Sequence, residues 1–190
     1  MTRNQKIIIG TAAGISLAAT ILIICLFYHS IKQSIMGAIT KNYFSDAELM
    51  ESATAKKKGI DNTPTASAWA NLHALRDNIL NPAREALGNC IYINCAYRSP
   101  KLNALIGGSS TSQHMNGCAA DITTRSKEGN RKLFAILIEM SNFDQLIWEG
   151  QGSWIHVSYD PVRDRQSVLA QNADGKTYSN IKNNWQDAIA

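Results

Sequence analysis

One short stretch, STSQHMNGCAADI over 110–122, combines a histidine with an acid seven residues later, His114 and Asp121. Imidazole and carboxylate groups are common ligands of zinc. Along a helix, seven residues separate two side chains by about 10.5 Å, which is too far for one ion, and along a strand they lie further apart still. The two residues can bind the same ion only if His114 lies on a loop that folds back over the start of a strand that carries Asp121.

The segment between the two residues favours such a fold-back, because bulky side chains would obstruct a close return of the chain. Its small residues include Gly117, Ala119 and Ala120. A catalytic zinc ion commonly keeps three protein ligands and one open position. His156, in SWIHVS, is the candidate for the third ligand, since His29 lies beside a long apolar segment and His73 lies in a predicted helix without a metal-site context.

A second interpretation of these residues needs no metal. His114 would then form hydrogen bonds within its loop, Asp121 would cap a strand, and His156 would be a core histidine whose polar atoms have partners. Spacing alone does not separate the two interpretations.

The helices and strands that must position these residues can be predicted from the sequence. Their order indicates an α+β domain, with helices first and then a small, mostly antiparallel sheet. A capping box formed by Ser45 and Glu48 begins the first helix, which runs towards Lys57. Helices are predicted over 45–57, 65–79, 81–88 and 127–141. Strand composition is found over 91–97, 118–124, 144–149 and 154–159. The last two strands are separated by Gly-Gln-Gly-Ser, which predicts a hairpin.

The stretch YRSPKLNALIGGSSTSQHMNGCAADI, followed by LIWE and WIHVS, resembles the zinc D-alanyl-D-alanine carboxypeptidase family of metallopeptidases. That family acts on D-amino-acid peptides of bacterial peptidoglycan and includes carboxypeptidases, cross-link endopeptidases and phage lytic enzymes. The likeness covers roughly residues 43–165, and S-x-H-x-x-G-x-A-x-D with a later W-x-H-V is a specific pattern. The resemblance implies a Hedgehog/DD-peptidase-like zinc domain, with His114, Asp121 and His156 as the ligands of one zinc ion per chain.

Hydrolysis by such an enzyme also needs a base. Two neutral imidazoles and one carboxylate leave the zinc net positive, which lowers the pKa of bound water and polarises a peptide carbonyl. Many members of the family place an acid three residues before the last histidine, where this chain has Ser153. Glu149 is the candidate instead. If the hairpin pairs Glu149 with Trp154, then Ile147 faces His156, and Glu149 lies on the same face of the sheet as His156.

The assignment of the base leaves other interpretations open. Glu149 would otherwise be a solvated residue at the end of a hairpin, and Asp144 and Asp160 are weaker substitutes because they lie at the outer ends of the strands. Ser153 in place of the expected acid also keeps a second function open, a non-catalytic, zinc-containing module that binds the cell wall or has a structural role.

Three polar residues near the motif are candidates for substrate binding. By the resemblance, Arg98 in Tyr-Arg-Ser-Pro corresponds to an arginine that holds the substrate or stabilises the oxyanion, a role suited to its fixed fork of donors. Ser112 and Gln113 lie next to His114 and are candidates to bind the backbone or carboxylate of a peptidoglycan peptide. Arg163 and Arg165 lie after the last predicted strand and could face an acidic muropeptide.

The N-terminal part of the chain differs from the rest, because residues 7–28 contain no charge over 22 residues. A helix of this length spans the roughly 30 Å hydrocarbon layer of a membrane. Arg3 and Lys6 on its short side predict a cytoplasmic N-terminus. No small-residue cleavage motif follows, so an uncleaved anchor is favoured over a removed signal peptide. The predicted organisation is a cytoplasmic N-terminus (1–6), a transmembrane signal anchor (7–28), a stalk (29–42), the zinc DD-peptidase-like domain (43–165) and a C-terminal tail (166–190).

This organisation predicts a single-pass protein of the cytoplasmic membrane, with its catalytic domain on the outer, periplasmic side. A phage-encoded lytic enzyme or virion component is also compatible with it. The net charge of +4, without a stripe of basic and aromatic residues, argues against nucleic acid as a partner. Cys95 and Cys118 lie in apolar, strand-like runs and are predicted to be buried thiols. The sequence does not decide whether two of Cys90, Cys95 and Cys118 form a disulfide.

Overall fold

Helices precede most of the strands in the computed structural model, which describes residues 41–190. The helices are α1 (Asp46–Met50), α2 (Ala53–Lys58), α3 (Ala66–Leu75), α4 (Asn81–Leu87), α5 (Pro100–Leu105), α6 (Lys127–Met140) and α7 (Trp185–Ala188). The strands are β1 (Tyr92–Cys95), β2 (Ala119–Thr123), β3 (Gln145–Glu149), β4 (Trp154–Ser158), β5 (Ser167–Gln171) and β6 (Tyr178–Asn180). The predicted membrane anchor lies outside the described residues. Among residues 41–190, no helix is both long and apolar enough to cross a membrane.

The first predicted helix is two short helices. Ser45 and Glu48 form the expected capping box at the start of α1. However, the backbone of Glu51 is extended, and the side chain of Ser52 accepts a hydrogen bond from the backbone of Ala55 and so begins α2. Serine favours this position because its side chain competes with the helix for backbone hydrogen bonds.

The helices α3 and α4 are joined without a break by one π-helical turn, Arg76–Leu80. Pro82 lies in the first turn of α4 and has no N–H to donate to the preceding turn. The carbonyl oxygen of Asn78 instead accepts a hydrogen bond from the side chain of Asn142, at 2.9 Å. Gly88 ends α4 in the left-handed conformation, as its place in the sequence predicts.

The strands form a six-stranded mixed sheet in the order β1-β2-β4-β3-β5-β6. All neighbours pair antiparallel except β3 and β5, which are parallel. The predicted α+β class and the mostly antiparallel sheet are therefore confirmed. Residues 166–190, expected to form a tail, instead contain β5, β6 and α7. The strand β6 is polar, but β5 carries the short apolar run Val168-Leu169-Ala170, and the Asp174-Gly175 pair between the two strands is typical of a hairpin turn.

The two faces of the sheet have different roles. One face carries apolar residues of β2, β3 and β4, which join Phe134 and Leu137 of α6 in the core. The strand residues on this face are Ala120, Ile122, Leu146, Trp148, Ile155 and Val157. Because side chains alternate along a strand, the residues between them point to the opposite face. That face carries Asp121, Glu149 and His156. Burial of one face against the helices thus directs these three polar side chains to the other.

Candidate metal centre

The register of the sheet brings Asp121 and His156 together. The two residues are directly opposite each other on the antiparallel strands β2 and β4. Residues opposite each other on one face of such a pair have their Cβ atoms about 5 Å apart. Here the Asp121 Oδ1 and His156 Nδ1 atoms are 3.0 Å apart.

His114 reaches the same place from a loop. It lies in a 3₁₀ turn, Gln113–Asn116, which ends at Gly117 with a φ of 73°. A side chain at Gly117 would be strained in this left-handed conformation, and its Cβ would collide with the carbonyl oxygen of Ala68 in α3. The backbone N–H of Cys118 donates to the carbonyl of Gln113 at 3.0 Å and closes the turn just before β2. The predicted fold-back is confirmed.

A backbone carbonyl orients the ring of His114. The Nδ1 atom lies 2.7 Å from the carbonyl oxygen of Ala96, and since a carbonyl only accepts, Nδ1 carries the proton in this contact. In the neutral ring the Nε2 atom then has a free lone pair. It faces the Asp121 Oδ1 atom at 3.3 Å and the His156 Nδ1 atom at 3.2 Å. The hydrogen bond from Nδ1 to the Ala96 carbonyl thus selects the tautomer whose Nε2 atom can bind a metal ion.

The three facing atoms fit a zinc ion in number, chemistry and separation. Their mutual distances are 3.0, 3.2 and 3.3 Å, close to the roughly 3.3–3.5 Å between ligand atoms of a tetrahedral zinc site. Burial by itself would raise the pKa of Asp121, but His114 and His156 hold it below its usual value, through their positive charge when the rings are protonated and through hydrogen bonds. Asp121 is therefore ionised at neutral pH, as a metal ligand must be.

Cys95, which sequence reasoning did not place in the site, also lies beside it. It is opposite Asp121 on β1, and its Sγ atom forms a group of potential ligand atoms with His114 and Asp121, all within 4.8 Å of one another. Burial, together with the charge of Asp121, raises the pKa of Cys95 to about 11. The group that contains Cys95 does not include His156, whereas the facing atoms of His114, Asp121 and His156 lie 3.0–3.3 Å apart, so that His156 is the better third ligand.

Glu149 lies on the same face, as the hairpin parity predicts. Glu149 pairs with Trp154 and Ile147 with His156. A carboxylate oxygen of Glu149 forms a second group of potential ligand atoms with Asp121 and His156, again within 4.8 Å of one another. Glu149 is therefore close enough to act on a molecule bound at the centre.

The weaker candidates for the base do not share this position. Ser153 is exposed, and its hydroxyl donates to the carbonyl of Gly150 at 2.7 Å. Asp144 is buried in an ion pair with Arg165, whose Nη2 atom lies 2.6 Å from the carboxylate. Burial alone would raise the pKa of Asp144, but hydrogen bonds from Arg165 and Gln113 lower it to about 2. Asp160 does not line the cleft described below.

The Asp144–Arg165 ion pair holds the side chain of Gln113, the residue before His114, in place. The amide of Gln113 donates to Asp144 at 2.9 Å and accepts from Arg165 at 3.1 Å. Sequence reasoning treated these residues separately, because 31 positions separate Gln113 from Asp144 and no local pattern links them. Arg165 thus positions the turn of His114, while Arg163 is exposed along the cleft.

Arg98 lies next to the centre. Its backbone N–H donates to the carbonyl of His114 at 3.2 Å, and its Nη2 atom is 3.8 Å from the Asp121 Oδ2 atom. Within residues 41–190, the buried Nε atom of Arg98 has no hydrogen-bond partner. A buried donor without a partner costs about 1–3 kcal/mol. Other parts of the Arg98 residue line the cleft beside the centre.

An open cleft passes over these residues. One part, of about 500 Å³, is lined by His114, His156, Ser112 and Gln113, among others. An adjoining part of about 580 Å³ is lined by residues that include Asn94 and Trp154. The two parts share Arg98, Asp121 and Glu149. The cleft therefore continues on both sides of the candidate metal centre.

Two imidazoles and a carboxylate facing one point, with a glutamate beside them in an open cleft, form an arrangement suited to metal-assisted hydrolysis. The chain belongs to the peptidase M15 family, whose family model matches residues 42–158. This family contains zinc D-Ala-D-Ala carboxypeptidase-like enzymes, and the resemblance read from the motif is confirmed. No curated protein matches the chain. The match ends with β4, so that β5, β6 and α7 lie beyond it.

Proposed function

We propose that this peptidase is a zinc enzyme that hydrolyses peptide bonds of bacterial peptidoglycan. The observation that carries the proposal is the Glu149 carboxylate beside the facing atoms of His114, Asp121 and His156, on the floor of an open cleft. Membership of the peptidase M15 family supports both the reaction and the substrate class.

His114, Asp121 and His156 would hold the zinc ion. Bound there, zinc would polarise the scissile carbonyl and make a water molecule more acidic. Glu149 takes a proton from the attacking water and delivers it to the leaving amine, a transfer that requires a carboxylate within reach of both atoms. Arg98, which lies beside Asp121 and lines both parts of the cleft, donates to the oxygen on which negative charge develops. Ser112 binds the peptide backbone along the cleft wall, whereas the amide of Gln113, expected from the sequence to do so too, is already held by Asp144 and Arg165.

A non-catalytic wall-binding module is the second candidate, because Ser153 stands where many relatives carry an acid. The position of Glu149 favours the enzyme over this module. Digestion of purified peptidoglycan by residues 29–190, followed by mass spectrometry of the soluble products, separates the two functions. We expect muropeptide fragments to be released. Zinc in the protein without fragment release, across several wall chemistries, would instead support the binding module.

The two-sided cleft favours cleavage of cross-links over trimming of peptide ends. A carboxypeptidase needs room for only one residue beyond the scissile bond, whereas a cross-link endopeptidase holds a peptide on each side. With purified muropeptides, we therefore expect cross-linked dimers to be converted to monomers. Loss of a single terminal alanine from monomers, with dimers left intact, would show that the enzyme is a carboxypeptidase.

We also propose that residues 7–28 anchor the enzyme in the cytoplasmic membrane, with the peptidase outside. The motive is the uncharged length of this segment and the absence of a cleavage motif. Full-length protein is expected to sediment with membranes and resist carbonate extraction, and protease added outside that membrane should digest it. Residues 29–190 alone, as the control, should remain in the supernatant. A mature N-terminus between residues 29 and 45 would contradict the anchor.

A further inference from the structure

The strand β6, beyond the part of the chain that matches the family model, contributes a side chain to the site. The hydroxyl of Tyr178 donates to the Oε1 atom of Glu149 at 3.1 Å. Tyr178 is 45% exposed and lines the same part of the cleft as His114 and His156. The mechanism above does not use Tyr178.

Glu149 is held by two donors, one on each carboxylate oxygen. The indole Nε1–H of Trp154 donates to the Oε2 atom at 2.9 Å, while Tyr178 donates to Oε1. The terminal torsion of a glutamate side chain is broad and has no sharp preferred angle. Two donors from different strands restrict this rotation. Each oxygen retains a free lone pair, so that the carboxylate can still accept a proton.

Contacts between two turns keep Tyr178 in place relative to Glu149. Tyr178 pairs with Gln171 across β5 and β6, and β5 runs parallel to β3, which ends at Glu149. The Gln171 side chain accepts from the N–H of Gly150 at 3.0 Å and donates to the carbonyl of Gly175 at 3.1 Å. One side chain thus joins the turn after Glu149 to the turn between β5 and β6.

We infer that Tyr178 is a positioning residue, which fixes the Glu149 carboxylate in the orientation needed for proton transfer. This inference rests on the proposed role of Glu149 as the base. The β5–β6 hairpin is accordingly part of the active site, and its function is to deliver this hydroxyl group.

The test is Tyr178→Phe, which removes the hydroxyl and keeps the ring. We expect kcat to fall on the order of tenfold, the scale of one hydrogen bond to a charged group, with KM and zinc content unchanged. In the Glu149→Gln background, the same substitution should cause little further loss, because both changes act through one group. In crystal structures of the zinc-loaded proteins, the Glu149 carboxylate should have one orientation in the parent and several in Tyr178→Phe.

Tyr92→Phe is the matched control, since Tyr92 lies on β1 at the opposite edge of the sheet, and it should leave kcat unchanged. An unchanged kcat in Tyr178→Phe, or an equal loss in the Glu149→Gln background, would overturn the inference. A single, parent-like orientation of Glu149 in Tyr178→Phe would also overturn it. Failure of the proposed function is a separate result, because a parent that releases no peptidoglycan fragments still allows the crystallographic comparison.

Discussion

His114→Ala and His156→Ala are each expected to lose zinc and peptidase activity together, from one zinc ion per chain to a background level. Each substitution leaves two of three ligands, and His114 is also buried, at 1% exposed, where alanine cannot replace its Nε2 atom. Metal content measured by atomic emission, together with fragment release from peptidoglycan, checks the expectation. Chelation of zinc from the parent should reproduce the loss, and added zinc should reverse it.

His73→Ala is the matched control. His73 lies on the surface of α3, where its ring is 3.0 Å from the carboxylate of Asp46, and an exposed pair of this kind contributes little to stability. The variant should retain both zinc and activity. The assignment of His114 and His156 as zinc ligands would be wrong if the double variant His114→Ala/His156→Ala still bound stoichiometric zinc.

Glu149→Gln is expected to keep zinc and to lower turnover by about a hundredfold or more, the usual scale for loss of a general base. Glutamine preserves the size of the side chain but cannot accept the proton. His114, Asp121 and His156 are unchanged, so the metal content should match that of the parent. The measurement is kcat on a purified cross-linked muropeptide.

Ser153→Ala tests the other candidate position for the base, the position where many members of the family carry an acid. The Ser153 hydroxyl faces the carbonyl of Gly150 within its own turn, so its removal should change turnover little. Near-normal turnover in Glu149→Gln would exclude Glu149 as the base. If the parent and both variants bound zinc and were all inactive, the wall-binding module would be the better explanation.

Local patterns in the sequence were sufficient for much of this site. The four-residue connection between β3 and β4 predicts the pairing of Glu149 with Trp154, and the alternation of a strand then places Glu149 on the face of His156. The small residues after His114 predict its fold-back, because close approach of the backbone is a steric property of the residues involved. Interactions of this kind span few residues, so the sequence alone determines them.

Other features depend on contacts between distant segments. Pairing of β2 with β4, which are not consecutive in the chain, places Asp121 opposite His156. The carbonyl of Ala96, which orients the His114 ring, is 18 residues from it. No periodicity in the sequence indicates which strands become neighbours, since that choice depends on how the apolar face of the whole sheet packs against the helices.

The C-terminal β5–β6 hairpin is the part of the site that the sequence alone predicts least well. The sequence of residues 166–190 is mostly polar and has little periodicity, which predicts a tail. In the structure β5 hydrogen-bonds to the backbone of β3, and β6 places Tyr178 on Glu149, 29 residues away. Backbone hydrogen bonds to an existing sheet edge need no particular side chains. The sequence by itself therefore determined the ligand motif and the local turns, while only the tertiary structure decided which distant side chains complete the site around them.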